Sequence, residues 1–579
     1  MIKCSKEKLI EVILLVMIAI FAIITVLRSF YTIDITDESY IYADALLMLK
    51  GNVPYALNAS EACGMSFLTL PFVFLYNLVV PDNAGIVLFL RISFSILRLI
   101  VVFFIYRILK RKNETIPCLL VSLLLTVWYY FTNYFSYNSN AIWILILVSV
   151  WLYDLYDSEP IKVSFVQLFF AGFLSAFAVF SHPFAAISVA LFVILLFSFA
   201  KKGEKIRYTL IYCAGGLFVA FSVLIVIVVK TSFFRFYSGL RILSLVVKQV
   251  ESFDKFIVWK EFALCYGLLY AVIAFCFLCG IVFSKRTVIR QKTEFASCLA
   301  LAGGTIYISL HFLSTGYDLV QLGCYFGSMG IFLSLILGIA KKEKLFLFMS
   351  LPFFLFVMLE LSAYRNGTSL LHPNLAFPTL LAVVLVTAKS EDALSRWIVG
   401  IVVVAISSQL LYADVVHSYR DDPVATLDTR VESGVYKGLI TSNERAKCLP
   451  EMEEWIANET EDCDSVIFRD NAPFAYLMYK GHTPELQAWD ILNYSTGYRD
   501  NAKIMYNNFK NHGEYPKRII YIDYGYDEYL SIDTDFQFNE WVNAYYDFVK
   551  EEQLNTMFRV KVYDYNGTFD GDYSKWTNF

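Results

Sequence analysis

The sequence has too few charged residues for an ordinary soluble protein. Charged residues make up 17% of its 579 residues, hydrophobic residues make up 58%, and the mean hydropathy is +0.55. Soluble domains usually carry about 25% charged residues. The low charge comes from repeated apolar runs that are long enough to cross the hydrocarbon core of a membrane, roughly 30 Å thick. These features exclude a soluble globular protein and indicate a polytopic membrane protein.

The sequence also lacks a zinc-binding cysteine pattern, a low-complexity segment and an obvious internal repeat. Cys276 and Cys279 have the spacing of a redox or metal motif, but they lie inside an apolar run, where cysteine usually packs between helices. Cys448 and Cys463 lie in the polar C-terminal part and would pair only if that part faces an oxidising compartment. The cysteines alone therefore indicate neither a metal centre nor a redox site.

No small-residue cleavage site follows the first apolar run, so we interpret this run as a retained span and not as a cleaved signal peptide. The apolar runs predict a mainly α fold, a polytopic bundle of about thirteen membrane-spanning helices. The predicted spans are 9–30, 84–107, 115–132, 140–153, 163–180, 184–200, 208–233, 261–284, 294–314, 322–340, 345–362, 374–388 and 397–413.

Clusters of lysine and arginine predict the orientation of the bundle, because such clusters favour the cytoplasmic side. All of them fall on one side only if two conditions hold. The apolar segment 65–80, bounded by Pro71 and Pro81, must lie in the membrane interface, and 181–183 must form an external turn. We therefore expect a multi-pass protein of the cell membrane with a cytoplasmic N-terminus and an extracytoplasmic C-terminus. The clusters lie at 3–8, 110–112, 201–207, 285–292, 341–344 and 389–396.

The composition changes after residue 413, where the chain becomes charged and aromatic and loses its long apolar runs. Strand-like segments at 465–468 and 518–523 alternate with helix-like segments at 450–457 and 539–552. This alternation is typical of a small α/β domain. We therefore predict a transmembrane domain over 1–413, with an external loop at 31–83, and an external soluble α/β domain over 414–579.

Two adjacent carboxylates, Asp37 and Glu38, follow the first span directly. The segment 39–50 has apolar residues at helical spacing and ends before Gly51, as in an amphipathic helix of the membrane interface. We therefore expect the two carboxylates at the lipid–water boundary, at the start of this helix. There a carboxylate can take a proton from an attacking hydroxyl or hold a divalent cation against a phosphate. The structural alternative is that Asp37 only caps the helix.

Further polar residues of the membrane domain gather on its predicted external side, which indicates a binding site there. A phosphate leaving group requires positive charge or hydrogen-bond donors. Each candidate also has a structural interpretation, since arginine at a helix end often anchors in the interface, histidine before proline can stabilise a turn, and Lys50 and Tyr55 can simply end a helix. The candidates are Lys50, Tyr55, Arg91, His182, Arg365 and His372.

In their order and their predicted side of the membrane, these motifs resemble the GT-C class of membrane glycosyltransferases over about residues 9–400. The resemblance is closest to the branch that holds the protein O-mannosyltransferases and the aminoarabinose transferase of lipid A. His182 departs from the class, in which a lysine is common at that place. The matching segments are Asp37-Glu38, Tyr40, Lys50-Gly51, Pro54-Tyr55, Leu90-Arg91-Ile92-Ser93, 172–183 and 365–378.

The resemblance implies an enzyme, a hexosyl- or pentosyltransferase, that takes a sugar from a polyprenyl-phosphate carrier. A hydroxyl of a glycan, lipid or protein acceptor would attack this donor at the external face, usually with inversion. Asp37 matches the base or metal-associated carboxylate of the class, and Glu38 matches its neighbour. A divalent cation (Mg²⁺, Mn²⁺ or Ca²⁺), if one is used, would bind Asp37. The implied partners are the lipid-linked donor, the acceptor and membrane lipids, without nucleic acid.

Two other functions stay open at this point. A transporter or lipid flippase would carry ionisable residues near the bilayer midplane and repeated halves, whereas most of the predicted spans lack charge. A non-catalytic envelope-assembly protein with a GT-C fold would keep the same sequence pattern. The glycosyltransferase hypothesis expects the acidic pair and the turn from Arg365 to His372 to meet in one pocket beneath the C-terminal domain.

Overall fold

The computed structural model describes residues 2–58, 63–129, 133–157, 164–201, 203–248, 255–284, 288–316, 319–341, 344–363, 373–470, 472–485, 488, 498–524 and 536–569. Within these residues, seventeen α-helices precede residue 417. They are α1 Ile2–Arg28, α2 Asp37–Leu49, α3 Ser66–Asn77, α4 Ile86–Leu109, α5 Thr115–Val127, α6 Tyr137–Asp157, α7 Phe165–Ser181, α8 Ala186–Phe199, α9 Lys205–Lys230, α10 Phe233–Lys248, α11 Lys255–Phe283, α12 Ile289–Thr315, α13 Leu319–Lys341, α14 Lys344–Met349, α15 Leu351–Ala363, α16 Phe377–Thr387 and α17 Ala393–Val416.

These helices confirm a multi-pass membrane protein with a mainly α fold. Nine helical segments of the described residues are long and apolar enough to cross a membrane, and each coincides with a predicted span. They are α1, α4, α6, α9, α11, α12, α13, the pair of α14 and α15, and α17. The other four predicted spans correspond to shorter apolar helices, α5, α7, α8 and α16. Membrane crossing by these four helices and the orientation of the chain stay predictions.

After α17 the chain forms the predicted α/β region. Its helices are α18 Asn443–Glu459, α19 Pro473–Met478, α20 Tyr498–His512 and α21 Phe536–Tyr545. Its strands are β1 Thr429–Arg430, β2 Ile440–Thr441, β3 Val466–Arg469, β4 Arg518–Asp523, β5 Tyr546–Gln553 and β6 Arg559–Tyr565. The antiparallel strands β1 and β2 form one small sheet. The other strands form a second sheet in the order β3-β4-β6-β5, in which β3 runs parallel to β4 and the remaining pairs are antiparallel.

Two predicted strands and one predicted helix of this region are confirmed. The strands at 465–468 and 518–523 correspond to β3 and β4, and the helix at 450–457 is part of α18. The predicted helix at 539–552 is wrong beyond Tyr545, where β5 begins. The cause is not local, because β5 pairs with β6 from Tyr546 to Gln553 with one irregularity between Phe548 and Lys550, and such pairing overrides local helix preference.

The two faces of the larger sheet pack against different neighbours, because successive side chains of a strand point to opposite sides. Phe468, Ile520 and Val562 belong to a hydrophobic core that continues into the membrane helices. Ile467 and Ile519 belong to a second core with residues of α20 and α21. The C-terminal region is therefore packed on the helices, while the division into domains at residue 413 stays a prediction.

The helix after the first span forms where it was predicted, but it is more buried than an interfacial helix. Nine of the 13 residues of α2 are buried, among them Glu38, Asp44 and Leu47. The cause is that α2 lies between α3 and α19, so the C-terminal region covers the side that was expected to face water. Most of the segment 65–80 forms α3, which continues through Pro71, and its place in the membrane interface stays a prediction.

The two cysteines of the C-terminal part are free thiols in this structure. The sulfur of Cys448 lies 3.4 Å from the hydroxyl oxygen of Thr556. The thiol of Cys463 donates to the backbone oxygen of Ser465 at 3.7 Å. The disulfide that the sequence left open is therefore not formed here.

Helices α7 and α9 are packed so closely that their backbones touch at glycines. A Cβ atom on Gly172 would overlap the carbonyl oxygen of Tyr212, and a Cβ atom on Gly215 would overlap that of Phe169. Small residues of this kind let helices in a membrane approach each other closely. The glycines therefore set the spacing of these two helices.

Replacing Gly215 with alanine should lower the stability of the bundle, because the added methyl group must push two backbones apart. Overpacking of this kind costs about 1–3 kcal/mol. Thermal unfolding of the purified protein in detergent should show a lower Tm for Gly215→Ala. Gly216→Ala is the matched control, since a Cβ atom there would lie 3.5 Å from the oxygen of Gly172. Equal Tm values for both variants would contradict this packing.

Candidate functional site

A buried carboxylate that the sequence did not single out, Asp34, holds the loop between α1 and α2. Its Oδ1 accepts hydrogen bonds from the backbone N–H groups of Thr36 at 2.9 Å and Asp37 at 3.2 Å. Its Oδ2 accepts from the N–H of Glu38 at 3.0 Å. The first N–H groups of a helix have no partner within the helix. Asp34 therefore caps α2, and the capping role that was considered for Asp37 belongs to Asp34.

Glu38 and Arg91 form a bidentate ion pair between α2 and α4. Arg91 Nε donates to Glu38 Oε1 at 2.6 Å, and Nη2 donates to Oε2. The two side chains are almost completely buried, with 8% of Arg91 and 0% of Glu38 exposed. Arg91 Nη1 also donates to the carbonyl oxygens of Tyr31 and Thr32, at 3.0 and 2.9 Å. Arg91 thus ties the loop to α4, and its predicted phosphate-binding role stays a prediction.

Asp37 differs from these neighbours because its carboxylate is partly open, with 30% of the side chain exposed. The hydroxyl of Tyr419 donates to Oδ2 at 2.5 Å, and Arg420 Nη1 lies 3.0 Å from Oδ1. Arg420 also donates to the hydroxyl oxygen of Thr36. Both partners belong to residues 417–421, which directly follow α17 and which we call the junction segment.

The surroundings raise the pKa of both adjacent carboxylates, and an arginine opposes the rise in each case. Burial raises the pKa of Asp37 above its usual value, and Arg420 opposes this rise. Burial also raises the pKa of Glu38, against the charge of Arg91. Arginine stays protonated in proteins, and a buried guanidinium without a counter-charge is costly, so we assign Glu38 as the ionised partner of Arg91. Asp37 is partly exposed, whereas Glu38 is buried in its ion pair with Arg91, so Asp37 is the better proton acceptor of the two.

The junction segment, β2 and α18 also hold the loop. Asp421 Oδ2 accepts from the backbone N–H of Ile33 at 2.7 Å. Arg445 Nη1 donates to the carbonyl oxygen of Ile33 at 2.8 Å. The N–H of Thr32 donates to the carbonyl oxygen of Ile440 in β2 at 2.9 Å. The loop that carries Asp37 is therefore held between the second long helix and the C-terminal region.

A pocket with a cavity volume of about 50 Å³ lies beside this loop and opens to solvent. The ends of the first and last long helices meet there, because Arg28 of α1 donates to the carbonyl oxygens of Asp414 at 2.8 Å and His417 at 2.6 Å. Tyr419, which holds Asp37, forms part of the wall, so the pocket and the open carboxylate are neighbours. Its lining includes Arg28, Asp34, Arg91, Tyr129, Asn133 and Tyr419.

His182 forms a separate buried pair with Glu360 of α15. Its Nε2 lies 2.7 Å from Glu360 Oε1, and only 9% and 2% of the two side chains are exposed. The imidazole also packs against the rings of Phe356 and Tyr137, with centroids 5.1 and 5.4 Å away. A carboxylate therefore faces His182 in this structure, and its contact with a phosphate stays a prediction.

Lys50 and Tyr55 lie beyond the other end of α2. Lys50 Nζ donates to the carbonyl oxygen of Tyr479 and lies 5.7 Å from the centre of its ring. Burial lowers the pKa of Lys50 to about 8. Tyr55 has a positive φ of 64° and packs against Phe180 with centroids 6.2 Å apart. Both residues thus stabilise the turn after α2, and their contact with a lipid phosphate stays a prediction.

Asp44 is a buried carboxylate in the middle of α2 that faces the C-terminal region. Its Oδ1 accepts from the backbone N–H of Ala488 at 3.0 Å, and the residue is 1% exposed. Burial raises the pKa of Asp44 to about 7, against hydrogen bonds from Ala488 and Asn58. The contact between α2 and the C-terminal region therefore contains a group that titrates near neutral pH.

Three of the predicted site residues meet at the loop after α1, namely Asp37, Glu38 and Arg91. Arg365 and His372 lie outside the described residues, so their convergence with Asp37 stays a prediction.

Sequence reasoning missed Asp34, Tyr419 and Arg420. The usual capping signal is a residue directly before the helix, whereas Asp34 lies three residues before the first residue of α2, so this signal does not mark it. Tyr419 and Arg420 lie in the first charged stretch after the last predicted span, and that position was the available signal. Nothing local in this stretch indicates that it contacts residues near the N-terminus.

The neighbours of Asp37 do not fit the divalent cation that the sequence analysis considered. Such a cation requires oxygen acceptors around it, whereas the two oxygens of Asp37 face the hydroxyl of Tyr419 and the guanidinium of Arg420, which are donors. The oxygens of Asp34 already accept backbone N–H groups. Within the described part of the chain, no three His, Cys, Asp or Glu side chains are grouped to hold a metal ion.

No protein-family model and no curated protein matches this sequence. Among solved structures, the chain is similar to the Archaeoglobus fulgidus oligosaccharyltransferase in complex with Zn and sulfate, with a TM-score of 0.45, 9% identity, and coverage of 87% of this chain and 67% of that one. For the apo form of that protein the TM-score is 0.43 and the identity is 10%, with coverage of 88% of this chain and 69% of that one. For ArnT from Cupriavidus metallidurans in the apo state the TM-score is 0.37 and the identity is 10%, with coverage of 95% of this chain and 97% of that one. At such TM-scores and identities, no function follows from these similarities.

The titration of Asp44 should make the stability of the protein depend on pH. Asp44 titrates near pH 4 in an unfolded chain and near pH 7 in the folded protein. The folded state therefore holds the proton more tightly, so this group lowers the free energy of unfolding as the pH rises from about 4 to about 7, by on the order of a few kcal/mol.

Asp44→Asn cannot ionise, so its Tm should exceed that of the wild type by more at about pH 8 than at about pH 5. Asp428→Asn, at an exposed position, is the control and should follow the wild type at both pH values. A difference between Asp44→Asn and the wild type that does not grow with pH would show that Asp44 is not the titrating group.

Proposed function

We propose that this protein is an integral membrane glycosyltransferase. It transfers a hexosyl or pentosyl group from a polyprenyl-phosphate-linked donor to a hydroxyl of a glycan, lipid or protein acceptor at the external face of the membrane. The setting of Asp37 carries the proposal. Its carboxylate is partly open, has a raised pKa, and is held by Tyr419 and Arg420 beside a pocket where two long apolar helices end. The resemblance to the GT-C class, with its acidic pair after the first span, favours the same function.

In this proposal, Asp37 is the general base. It takes the proton of the acceptor hydroxyl while that oxygen forms a bond to the anomeric carbon of the sugar. The bond from this carbon to the phosphate oxygen breaks at the same time, and the phosphate leaves with the bonding electron pair on its polyprenyl carrier. Attack opposite the leaving group inverts the anomeric carbon. Base catalysis by a positioned side chain contributes about 10²–10⁴-fold, and a raised pKa strengthens Asp37 as an acceptor.

Arg420 has two tasks in this reaction. Its guanidinium, 3.0 Å from Asp37 Oδ1 and 21% exposed, favours the ionised carboxylate that can accept a proton. The same positive charge lies close to where negative charge develops on the leaving phosphate and stabilises it there. Glu38 is a positioning residue, because its pairing with Arg91 fixes the loop next to the base.

The remaining predicted residues belong to the donor end of this reaction. We place Arg365, His372 and His182 near the donor phosphate, on the basis of the sequence pattern. The C-terminal α/β region shapes the acceptor entrance, and its packing against α2 through α19 supports this placement.

Replacing Asp37 with asparagine should reduce sugar transfer at least 100-fold, because the amide keeps the shape of the carboxylate but cannot take a proton. The purified protein is mixed with radiolabelled polyprenyl-phosphate sugars and with a cell-envelope extract that supplies glycan, lipid and protein acceptors, and released polyprenyl phosphate is measured. Asp428→Asn is the control, since it lies on the same side of the predicted membrane but outside the site, and it should keep wild-type activity. Equal Tm values would show that both variants are folded.

Two results would contradict the proposal. Full transfer activity in Asp37→Asn would remove Asp37 from the catalytic role. Failure of the wild type to cleave any polyprenyl-phosphate sugar would indicate a different function: movement of the intact lipid between leaflets would identify a flippase, and binding alone would identify a non-catalytic protein.

A further inference from the structure

Helix α10 has one apolar side that is exposed in the structure. Four of its residues lie at positions i, i+1, i+4 and i+7, which share one side of a helix, and each of them is between 38% and 76% exposed. Exposed apolar patches on a protein usually mark a contact with a partner or with a membrane. This side of α10 is therefore a contact surface, which we call the α10 surface. Its residues are Phe233, Phe234, Tyr237 and Leu240.

The other side of α10 is packed against the protein. Phe236 packs on a small hydrophobic core that is formed by the loop after α2 and by Ile227 of α9. Gly239 lies so close to this loop that a Cβ atom on it would overlap the carbonyl oxygen of Tyr55. These contacts fix the rotation of α10 about its own axis, so the α10 surface faces away from the loop.

The C-terminal region is also attached to α10, at the end of α20. Arg235 Nη2 donates to the carbonyl oxygen of His512 at 3.2 Å. Asn511 Nδ2 lies 3.4 Å from the carbonyl oxygen of Arg235, to which it donates, and it also donates to the carbonyl oxygen of Ala56 in the loop after α2. Helix α10 therefore connects α9, this loop and the C-terminal region.

The α10 surface continues the exposed apolar surface of α9. Helix α9 is long and apolar enough to cross a membrane, and Ile225 and Val229 in its last turns are 61% and 79% exposed. Only two residues separate α9 from α10, so Phe233 directly follows the end of this apolar helix. With 16 residues, α10 is shorter than the roughly 20 residues of a membrane-spanning helix. An amphipathic helix in this place is typical of the membrane interface.

Charges beside the α10 surface favour anionic lipid. Lys230, three residues before α10, and Arg241, next to Leu240, are both exposed. No Asp or Glu occurs from residue 205 to residue 250. Long cationic side chains reach from apolar surface to lipid phosphates, and each of them adds to the attraction of an anionic membrane. We propose that α10 lies in the plane of the membrane interface and binds anionic phospholipid, which anchors the C-terminal region to the bilayer. This binding does not depend on the proposed transferase activity.

Photo-crosslinking of the full-length protein in lipid nanodiscs tests this contact. The nanodiscs contain equal amounts of phosphatidylglycerol and phosphatidylcholine. The photoreactive amino acid p-benzoylphenylalanine replaces one phenylalanine at a time, and the products of illumination are identified by mass spectrometry. Position 234 should form phospholipid adducts in a yield similar to that of Phe218, which is exposed on α9. Phe236, on the packed side of α10, is the matched control and should form at least tenfold fewer.

The preference for anionic lipid is tested with the crosslinker at position 234. Phosphatidylglycerol should form more adducts than phosphatidylcholine, and Lys230→Gln combined with Arg241→Gln should lower this preference at least threefold. Lys447→Gln combined with Arg559→Gln removes two exposed cations of the C-terminal region and should leave it unchanged.

Four results would overturn the proposal. Position 234 could form no phospholipid adduct, or it could crosslink to a second copy of the chain or to the C-terminal region instead. Position 236 could form as many lipid adducts as position 234. The preference for phosphatidylglycerol could be absent, or could persist without the cations of Lys230 and Arg241.

Discussion

The ion pair between Glu38 and Arg91 is the interaction on which the rest of the site depends. Burying two charges costs several kcal/mol per ion, and the attraction between them offsets this only when the geometry is good and the remaining donors find partners. Here two bonds join the side chains, and Arg91 Nη1 reaches the carbonyl oxygens of Tyr31 and Thr32. Because these bonds hold Glu38 and the loop before it, the pair also fixes the position of Asp37, the residue directly before Glu38.

The site also depends on contacts between distant parts of the chain. Tyr419 and Arg420 hold Asp37 from the segment after the last long helix, and Asp421 holds the backbone of Ile33. Strand β2 adds a backbone bond to the same loop. The C-terminal region therefore helps to hold Asp37 and the loop before it in position. A helix on the membrane surface would have one face in water. Helix α2 is buried instead, because the C-terminal region covers it.

Much of the bundle could be predicted from the sequence, because membrane crossing depends on the local length and apolarity of a segment. The position of Asp37 and Glu38 beside the first span could be predicted for the same reason. The partners of Asp37 could not, because Tyr419 and Arg420 meet it only through the packing of the whole chain. Helix preference after Tyr545 was likewise overridden by pairing with β6, and the burial of α2 follows from a region more than 400 residues away.

The pH dependence of sugar transfer tests the catalytic assignment of Asp37 most directly. For the wild type, kcat/KM should rise with pH along a limb whose apparent pKa lies above the ordinary value for aspartate, since burial raises the pKa of Asp37. In Arg420→Gln that limb should move to still higher pH, because the guanidinium that lowers this pKa is gone. A limb that stays at the same pH in Arg420→Gln, or a wild-type profile without such a limb, would contradict the account.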